Sequence, residues 1–448
     1  MKDRAGQSFG LQPITGIGIS RRARQRIARR LLPFLFLLYV INYIDRVNLA
    51  YAALTMQDGL GFSDRVFGFG ASIFYIGYFV LQIPGALIVE RWSARKWIGP
   101  LMVTWGMVTF LTAFIQSSGQ FYTARFVLGT AEAGFAPGMY VYLSHWFCQE
   151  DRGKAIAAFM CAVPVSSLIG APIAGALLAV HWFGMVGWRW LFVLEGIPAV
   201  LLGIVTVFYL TDRPSEAEWL TEAERSWISV ELEREKLAKL AQQSWTAWQA
   251  LRQRNVVMLT LICFFFVAAE TSLMLWLPTI LKRLSGSGGA AMLSNVSVAS
   301  LTAIPYAVAL VAMLLNGWHS DKTGERQWHT AAPLFGAGGA FFLVIALGSR
   351  IFLAVVLFTF VVAFLNAFKP SFWTFPTITL GQSAAAASIG FINSVGNLGS
   401  FLGPFLVGYM ASATHSFTSG LLFMMASTCV SGSLVLLLKI PRRMELVG

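Results

Sequence analysis

The sequence predicts an all-α membrane protein whose twelve transmembrane helices form two pseudo-symmetric six-helix bundles. Three observations carry that expectation. Of 448 residues, 56% are apolar and only 12% charged; at roughly 20 apolar residues per crossing this is stock for about twelve helices, and the charged share is about half that of soluble domains. The apolar residues gather in six runs on each side of one long charged segment. A short acidic–basic motif follows the second run of each set. Together these exclude a soluble multidomain enzyme, a disordered chain and a disulfide scaffold.

The first set of runs lies near 31–53, 66–89, 97–116, 121–143, 154–180 and 189–210, and the second near 256–281, 296–316, 329–348, 351–372, 384–410 and 418–439. The first run does not read as a removable leader, because it is long, contains Asp45 and Arg46, and lacks a small-residue cleavage site after it. The chain therefore divides into a basic N-terminal tail (1–30), an N-terminal bundle (31–210), an interdomain loop (211–254), a C-terminal bundle (255–440) and a C-terminal tail (441–448).

A net charge of +12 invites a nucleic-acid reading. The distribution of the charge argues against it. With the N-terminus placed inside, 25 Lys and Arg fall in cytoplasmic segments and five on the opposite side. That asymmetry orients helices in a bilayer, so both termini are expected in the cytoplasm of a multi-pass plasma-membrane protein, the inner membrane in a bacterium. The Arg-rich stretch from Arg21 to Arg30 reads as a topology anchor before a lipid-binding patch. In the central loop, Thr221-Glu222-Ala223-Glu224 has capping-box spacing. Trp219, Ala223 and Trp227 recur at helical intervals, which predicts a short amphipathic helix on the cytoplasmic surface, a linker rather than a partner site. Cys148, Cys161, Cys263 and Cys429 show no metal or disulfide spacing and read as buried small residues. The five histidines show none either, and no phosphate-binding loop or nucleophile–base set is present. An enzyme, an ATP-driven pump and a bound cofactor are not expected.

The recurring motif is Glu90-Arg91-x-x-x-Arg95 after the second run and Asp321-Lys322-x-x-x-Arg326 after the eighth. Each can clamp an acidic helix end against basic neighbours, which suits a conformational latch better than catalysis.

Six ionisable residues lie deep in the runs: Asp45, Arg46, Arg125, Glu132, Glu270 and Lys369. At about 2.5–3.5 kcal/mol for each charge at a helix centre, six unpaired charges would together exceed the net stability of most proteins, about 5–15 kcal/mol. They must line a wet cavity or pair. Arg125 and Glu132 are seven apart, about 20° from eclipsed and roughly 10 Å apart along the axis, so they share a face without an ideal salt bridge. Asp45 and Arg46 diverge by about 100°, while Asn42 and Tyr43 sit beside Arg46. Arg binds carboxylates in a bidentate fork, and buried acids can take up protons near neutral pH. With all six ionised the formal sum is zero, and protonating Asp45 and Glu132 frees two guanidiniums for an anion, so that proton and anion favour each other's binding. Lys369 is either a second anion-binding base or the partner of Glu270.

On these residues the chain resembles the major facilitator superfamily, whose signature loops match Gly317-x-x-Ser320-Asp321-Lys322-x-Gly324-x-Arg326 and, with Ala86 and Ser93 at two glycine positions, the first copy. Within it the chain is similar to the anion:cation symporter family. The likeness runs through Asn42-Tyr43-Ile44-Asp45-Arg46-Val47-Asn48, Gln82-Ile83-Pro84-Gly85, the stretch from Arg125 to Gly134, Trp188-Arg189-Trp190-Leu191-Phe192 leading to Glu195-Gly196, Lys369-Pro370-Ser371-Phe372-Trp373 and Asn393-Ser394-Val395-Gly396-Asn397. The resemblance implies proton-driven uptake of a small organic anion (a sugar acid, a tartrate-like acid or an aromatic carboxylate) by a monomer in the bilayer. It implies Asp45 and Glu132 as proton carriers and Arg46 or Arg125 as substrate ligands. Tyr78, Trp373 and Asn393 match positions that contact substrate hydroxyls or rings in that family. The fifth run departs from sugar-acid members: residues 155–180 carry no amide side chain, only Pro164, Ser166 and Ser167 among their distinctive groups. Export of an anionic or amphipathic compound, or ligand sensing without transport, are the alternatives.

Overall fold

A computed structural model describes residues 14–241, 253–287, 292–348, 350–379 and 382–438. The short C-terminal tail and part of the central loop lie outside these residues. Helix α1 (Ile14–Leu60) is continuous through the basic stretch, so the region read as a tail is in part a helical extension of the first span. Ala23, Ile27 and Leu31 are its buried stripe there, four residues apart. The N-terminal half continues through α2 (Asp64–Arg91), α3 (Ala94–Thr112), α4 (Ser118–Glu132), α5 (Phe135–Trp146), α6 (Gln149–Met160), α7 (Ala162–Leu178) and α8 (Gly187–Tyr209). A connecting helix α9 (Glu222–Ala241) follows. The C-terminal half comprises α10 (Arg254–Ser287), α11 (Asn295–Thr323), α12 (Gln327–Leu347), α13 (Ile351–Phe372), α14 (Phe375–Thr379), α15 (Gln382–Gly396), α16 (Leu398–Thr414) and α17 (Thr418–Leu436).

Among the described residues these helices make twelve crossings, four of them broken. By length and apolarity nine continuous stretches among the described residues could each cross a membrane. The other three crossings are α3 and the pairs α4–α5 and α15–α16. Serines start several helices: the hydroxyls of Ser63, Ser93, Ser117 and Ser294 accept the N–H three residues on. Gly324, at φ 69°, closes α11 in the left-handed region. The breaks fall in the fourth, fifth, tenth and eleventh crossings, equivalent places in the two halves, as internal repeats require.

The connecting helix carries the expected capping box. Glu224 accepts from the N–H of Thr221 at 3.0 Å, and Thr221 Oγ1 accepts from the N–H of Glu224 at 3.4 Å. Trp219, however, precedes the helix and stacks on Trp146 at 5.2 Å, so it is not part of the helix's face. Arg26 ion-pairs with the buried Glu224 at 2.7 Å, and Arg30 lies over both Tyr209 and Trp219 at 5.0 Å. The first contact fastens α9 to α1, and the second fastens the segment leading into α9 and the end of α8 to α1. Of the cysteines, Cys148 and Cys263 are buried, Cys429 is half-buried, and Cys161, at the break between α6 and α7, is exposed; all are free.

The halves meet toward the face opposite the N-terminus. Asp64 and Arg283 form a two-bond ion pair there at 2.6 and 2.8 Å, and Tyr51 bonds Thr302 at 3.0 Å. Backbones of α2 and α16 touch at Gly68 and Gly408, where a Cβ on Gly408 would lie 2.5 Å from the carbonyl oxygen of Asp64. The hydrophobic cores record the same asymmetry. One is built from the N-terminal half and the connecting segment, including Ala217, Leu220 and Ile228, near the N-terminal face. The other joins the C-terminal half to the far ends of α1, α2, α7 and α8, including Tyr51, Phe67, Ala174 and Trp188.

Helix seams inside each half rest on missing side chains, since close backbone approach is what packs helices where lipid supplies no hydrophobic drive. A Cβ on Gly129 would stand 1.9 Å from the carbonyl oxygen of Phe74, whereas Gly119 on the same helix has nothing within 4 Å. Gly129→Ala should therefore destabilise by about 1–3 kcal/mol through overpacking, and Gly119→Ala should not; thermal unfolding in detergent checks the pair.

Candidate functional site

Helix α1 sets the first cluster. Asn42 and Arg46 are one turn apart and converge on Glu132, the last residue of α4 before its break. Asn42 Nδ2 and Arg46 Nε each donate to Glu132 Oε2 at 2.9 Å. Glu132 is 0% exposed, so its charge is sustained by this pair of donors. The Arg46 guanidinium lies over Tyr78 at 4.8 Å and Phe74 at 5.4 Å.

Arg125 lies two turns before Glu132, 4% exposed, with its guanidinium 4.7 Å over Phe74. Among the described residues no carboxylate lies within ion-pair distance of it, and its Nε is buried without a hydrogen-bond partner. As the spacing implied, Arg125 and Glu132 do not bond each other. Asp45 turns to another side of α1, where Thr109 Oγ1 donates to its Oδ2 at 2.7 Å.

The C-terminal half supplies the second cluster. Lys369 pairs with Glu270 at 2.6 Å and donates to Asn366 Oδ1 at 2.9 Å. Of the two roles open to Lys369, the structure displays the pairing with Glu270. These residues face a central crevice, bounded across the divide by Tyr43, Pro164 and Ser167 and on the C-terminal side by Glu270, Tyr306 and Lys369. The Tyr43 hydroxyl reaches Met274 Sδ at 4.0 Å across the interface. The crevice offers about 30 Å³ to water-sized occupants, room for about one or two waters. A carboxylic acid of several carbons enters only if the halves part.

The remaining site residues are distributed as follows. Tyr78 is buried beneath Arg46. Trp373 sits at the break after α13, its ring 5.1 Å from Phe372, and Asn393 lies on α15; neither borders the crevice, and neither do Arg46, Tyr78 or Arg125. In the first signature loop the side chains of Glu90 and Arg91 are exposed, and the acid that clamps the loop is Asp212 after α8. It accepts from Ser93 Oγ at 2.7 Å and the Arg95 N–H at 3.0 Å, and pairs with the Arg95 side chain at 3.3 Å. Glu90 contributes only its carbonyl, to Arg213 at 3.0 Å. The second loop closes on itself: Arg326 pairs with Asp321 at 2.6 Å and donates to Ser320 at 2.9 Å, while Lys322 lies 5.2 Å over Trp318.

Sequence reasoning missed Glu195 as an intramembrane charge, although it stands inside the sixth apolar run. The rule that found the other six would have found it. Its Oε1 accepts a hydrogen bond from Asn48 Nδ2. Asp212 had no comparable signal, since it lies 117 residues from the backbone N–H it binds.

A transporter is the class of protein that this fold and these buried charges define. The Major Facilitator Superfamily model matches residues 35–404, and the chain belongs to that superfamily. It is 43% identical over 422 residues to a protein of Agrobacterium vitis named "Putative tartrate transporter", covering 94% of this chain and 95% of that one. It is 36% identical over 408 residues to the inner membrane transport protein RhmT of Escherichia coli, covering 91% and 92%. It is 35% identical over 401 residues to a quinolone resistance transporter of Acinetobacter baumannii, covering 88% and 90%. Among solved structures, a bacterial homolog of the human lysosomal transporter Spinster, in an inward-facing and unoccupied conformation, superposes with a TM-score of 0.73 at 18% identity, covering 93% of this chain and 96% of that one.

Removing one partner of a buried ion pair strands the other charge. Glu132→Ala should cost about 3–5 kcal/mol, and adding Arg46→Met should recover part of that loss; thermal unfolding of the single and double variants reads it directly.

Proposed function

We propose that this transporter carries a small organic anion of the tartrate type into the cell together with protons, across a bacterial inner membrane, with both termini in the cytoplasm. The single observation that carries the reading is Arg125: a buried guanidinium with no carboxylate in contact among the described residues, held on an aromatic face beside a second guanidinium. A buried charge without a partner is costly, and a substrate carboxylate would supply the partner, in the bidentate geometry that guanidinium favours. The names of the A. vitis relatives support a hydroxylated dicarboxylate. The crevice wall fits a compact substrate, since the fifth crossing offers Pro164 and Ser167 and no amide.

Asp45 and Glu132 are the proton-carrying acids in this reading. Glu132 is held by Arg46 until it is protonated, and the freed Arg46 then joins Arg125 at the anion. Lys369, released from Glu270, would meet a second carboxylate from the opposite half. With the far face sealed by Asp64–Arg283 and the glycine seam, loading from outside requires those contacts to part and the signature loops near Asp212 and Asp321 to close. Export of an amphipathic compound is the second reading, favoured by the name of the A. baumannii relative.

Purified protein in liposomes, given labelled tartrate and an inward proton gradient, should accumulate it, and a protonophore should abolish the accumulation. Arg125→Gln should weaken tartrate binding about tenfold to a hundredfold, as expected for losing a hydrogen bond to a charged group worth about 1.5–3 kcal/mol. Unchanged affinity in that variant would remove Arg125 from the substrate site, and expulsion of substrate against the gradient would favour the export reading.

A further inference from the structure

Four guanidiniums crowd one cavity at the N-terminal face, and none of its residues borders the central crevice. Arg22, Arg26, Arg29 and Arg30 of α1 line it with Gln25 and Trp219, around an open space of about 480 Å³. The four recur at helical spacing and so form one stripe about 12 Å long. The floor beneath them is fixed. Trp219 stacks on Trp146 at 5.2 Å and donates to Thr211 Oγ1 at 3.3 Å. The Arg30 guanidinium lies over Trp219 and Tyr209 at 5.0 Å each.

The charge of this cavity is not balanced within the protein. Among the described residues one carboxylate reaches the four groups: Glu224, which pairs with Arg26 at 2.7 Å. That acid is buried and also accepts the Thr221 N–H at 3.0 Å. Arg22 Nε donates to the carbonyl of Gly18 in its own helix at 3.1 Å. Arg29 has no ion-pair partner among the described residues, and the Nε of Arg30 is buried without a hydrogen-bond partner. Glu150 and Asp151 also approach α1, but they hold Arg24, which does not line the cavity. Outside the described residues the chain carries just two acids, Asp3 and Glu445. Like charges one turn apart on a helix repel, so the stripe is stabilised by an anion from outside.

Position decides which anion. Arg30 stands immediately before the apolar run that begins near 31, and Tyr209 ends α8, the sixth crossing. Tyr and Trp rings collect at the level of lipid headgroups, so the inner end of the stripe lies at that level. Guanidiniums donate to phosphate oxygens in a two-bonded fork, and Gln25 adds an amide for headgroup hydroxyls. We propose that this cavity binds the phosphodiester headgroup of an anionic phospholipid from the leaflet at the N-terminal face. The bound lipid bridges α1 to the segment between α8 and α9. The site is independent of proton coupling and of the substrate carried.

Thermal unfolding of the purified full-length protein in detergent, titrated with phosphatidylglycerol, phosphatidylcholine or glycerol phosphate, is the test. Phosphatidylglycerol should raise the unfolding midpoint. At equal concentration, phosphatidylcholine (the same phosphodiester without net charge) and glycerol phosphate (the headgroup without chains) should not. Read against each variant's own lipid-free midpoint, Arg29→Gln and Arg22→Gln should each weaken phosphatidylglycerol binding about fivefold, and together about thirtyfold. Arg21→Gln removes the same charge next to the cavity but not in it, and should leave the affinity unchanged. Equal losses in Arg21→Gln and Arg29→Gln would mean a diffuse basic surface and would overturn the site, as would an equal response to phosphatidylcholine. A response to glycerol phosphate as large as that to the lipid would overturn the membrane source. Stabilisation by tartrate that disappears in Arg29→Gln would overturn the lipid assignment in favour of the transported anion.

Discussion

Glu132 is wholly enclosed by protein, and a carboxylate so placed can hold its charge only because Asn42 and Arg46 meet it on the same oxygen. Much of the N-terminal half is arranged around that contact. The break between α4 and α5 puts Glu132 at a helix end, α1 must present Asn42 and Arg46 one turn apart toward it, and Phe74 and Tyr78 of α2 form the aromatic surface for Arg46. The alternative, an ionised side chain facing lipid, is excluded by its cost. Because Glu132 is engaged by Arg46, Arg125 has no contacting acid among the described residues, and the substrate reading follows from that surplus.

A second constraint is the asymmetry of the closure. Wherever the halves touch tightly, small residues or aromatic rings occupy the seam, as at Gly68 with Gly408, and at Phe67 with Trp276, whose rings lie 5.8 Å apart. The Asp64–Arg283 pair caps this seam. An interface of this type is two-state, since packed backbones separate as rigid bodies and do not stretch. The crevice below has Tyr43 on one wall and the Glu270–Lys369 pair on the other. Breaks in the fourth, fifth, tenth and eleventh crossings allow those helices to bend without unwinding their lipid-facing turns.

The loops at the N-terminal face show how a repeated motif can diverge in its partners. Both copies keep an Arg that clamps an acid, yet Arg95 clamps Asp212, just after the sixth crossing, and Arg326 clamps Asp321 within its own loop. The first copy thus ties the second and third crossings to the end of the sixth. Along the chain, α9 adds another tie, because Arg26 of α1 holds it by charge at Glu224 and Arg24 lies over its Trp227 ring.

Composition, run length and the distribution of basic residues were enough to establish a twelve-span helical protein, because hydrocarbon imposes one requirement, an apolar stretch of a given length, and that requirement is local in sequence. The same locality made Asp45, Arg46, Arg125, Glu132, Glu270 and Lys369 legible as charges within the apolar runs and placed Asn42 beside Arg46, since helical spacing is fixed. Partnership was not legible. Which acid Arg46 would hold, that Lys369 would meet Glu270, that Asp212 would replace Glu90, and that Trp373 and Asn393 would stand outside the crevice all depend on how helices pack across tens or hundreds of residues. Glu195 belongs to both categories: its position was visible as a charge within an apolar run, but its pairing with Asn48 exists only because glycines bring α3 and α8 together behind α1. The sequence by itself determined which groups are buried, through the cost of placing charge in lipid. Tertiary structure alone decided which of them touch, because contact is set by crossing helices whose register no local pattern encodes.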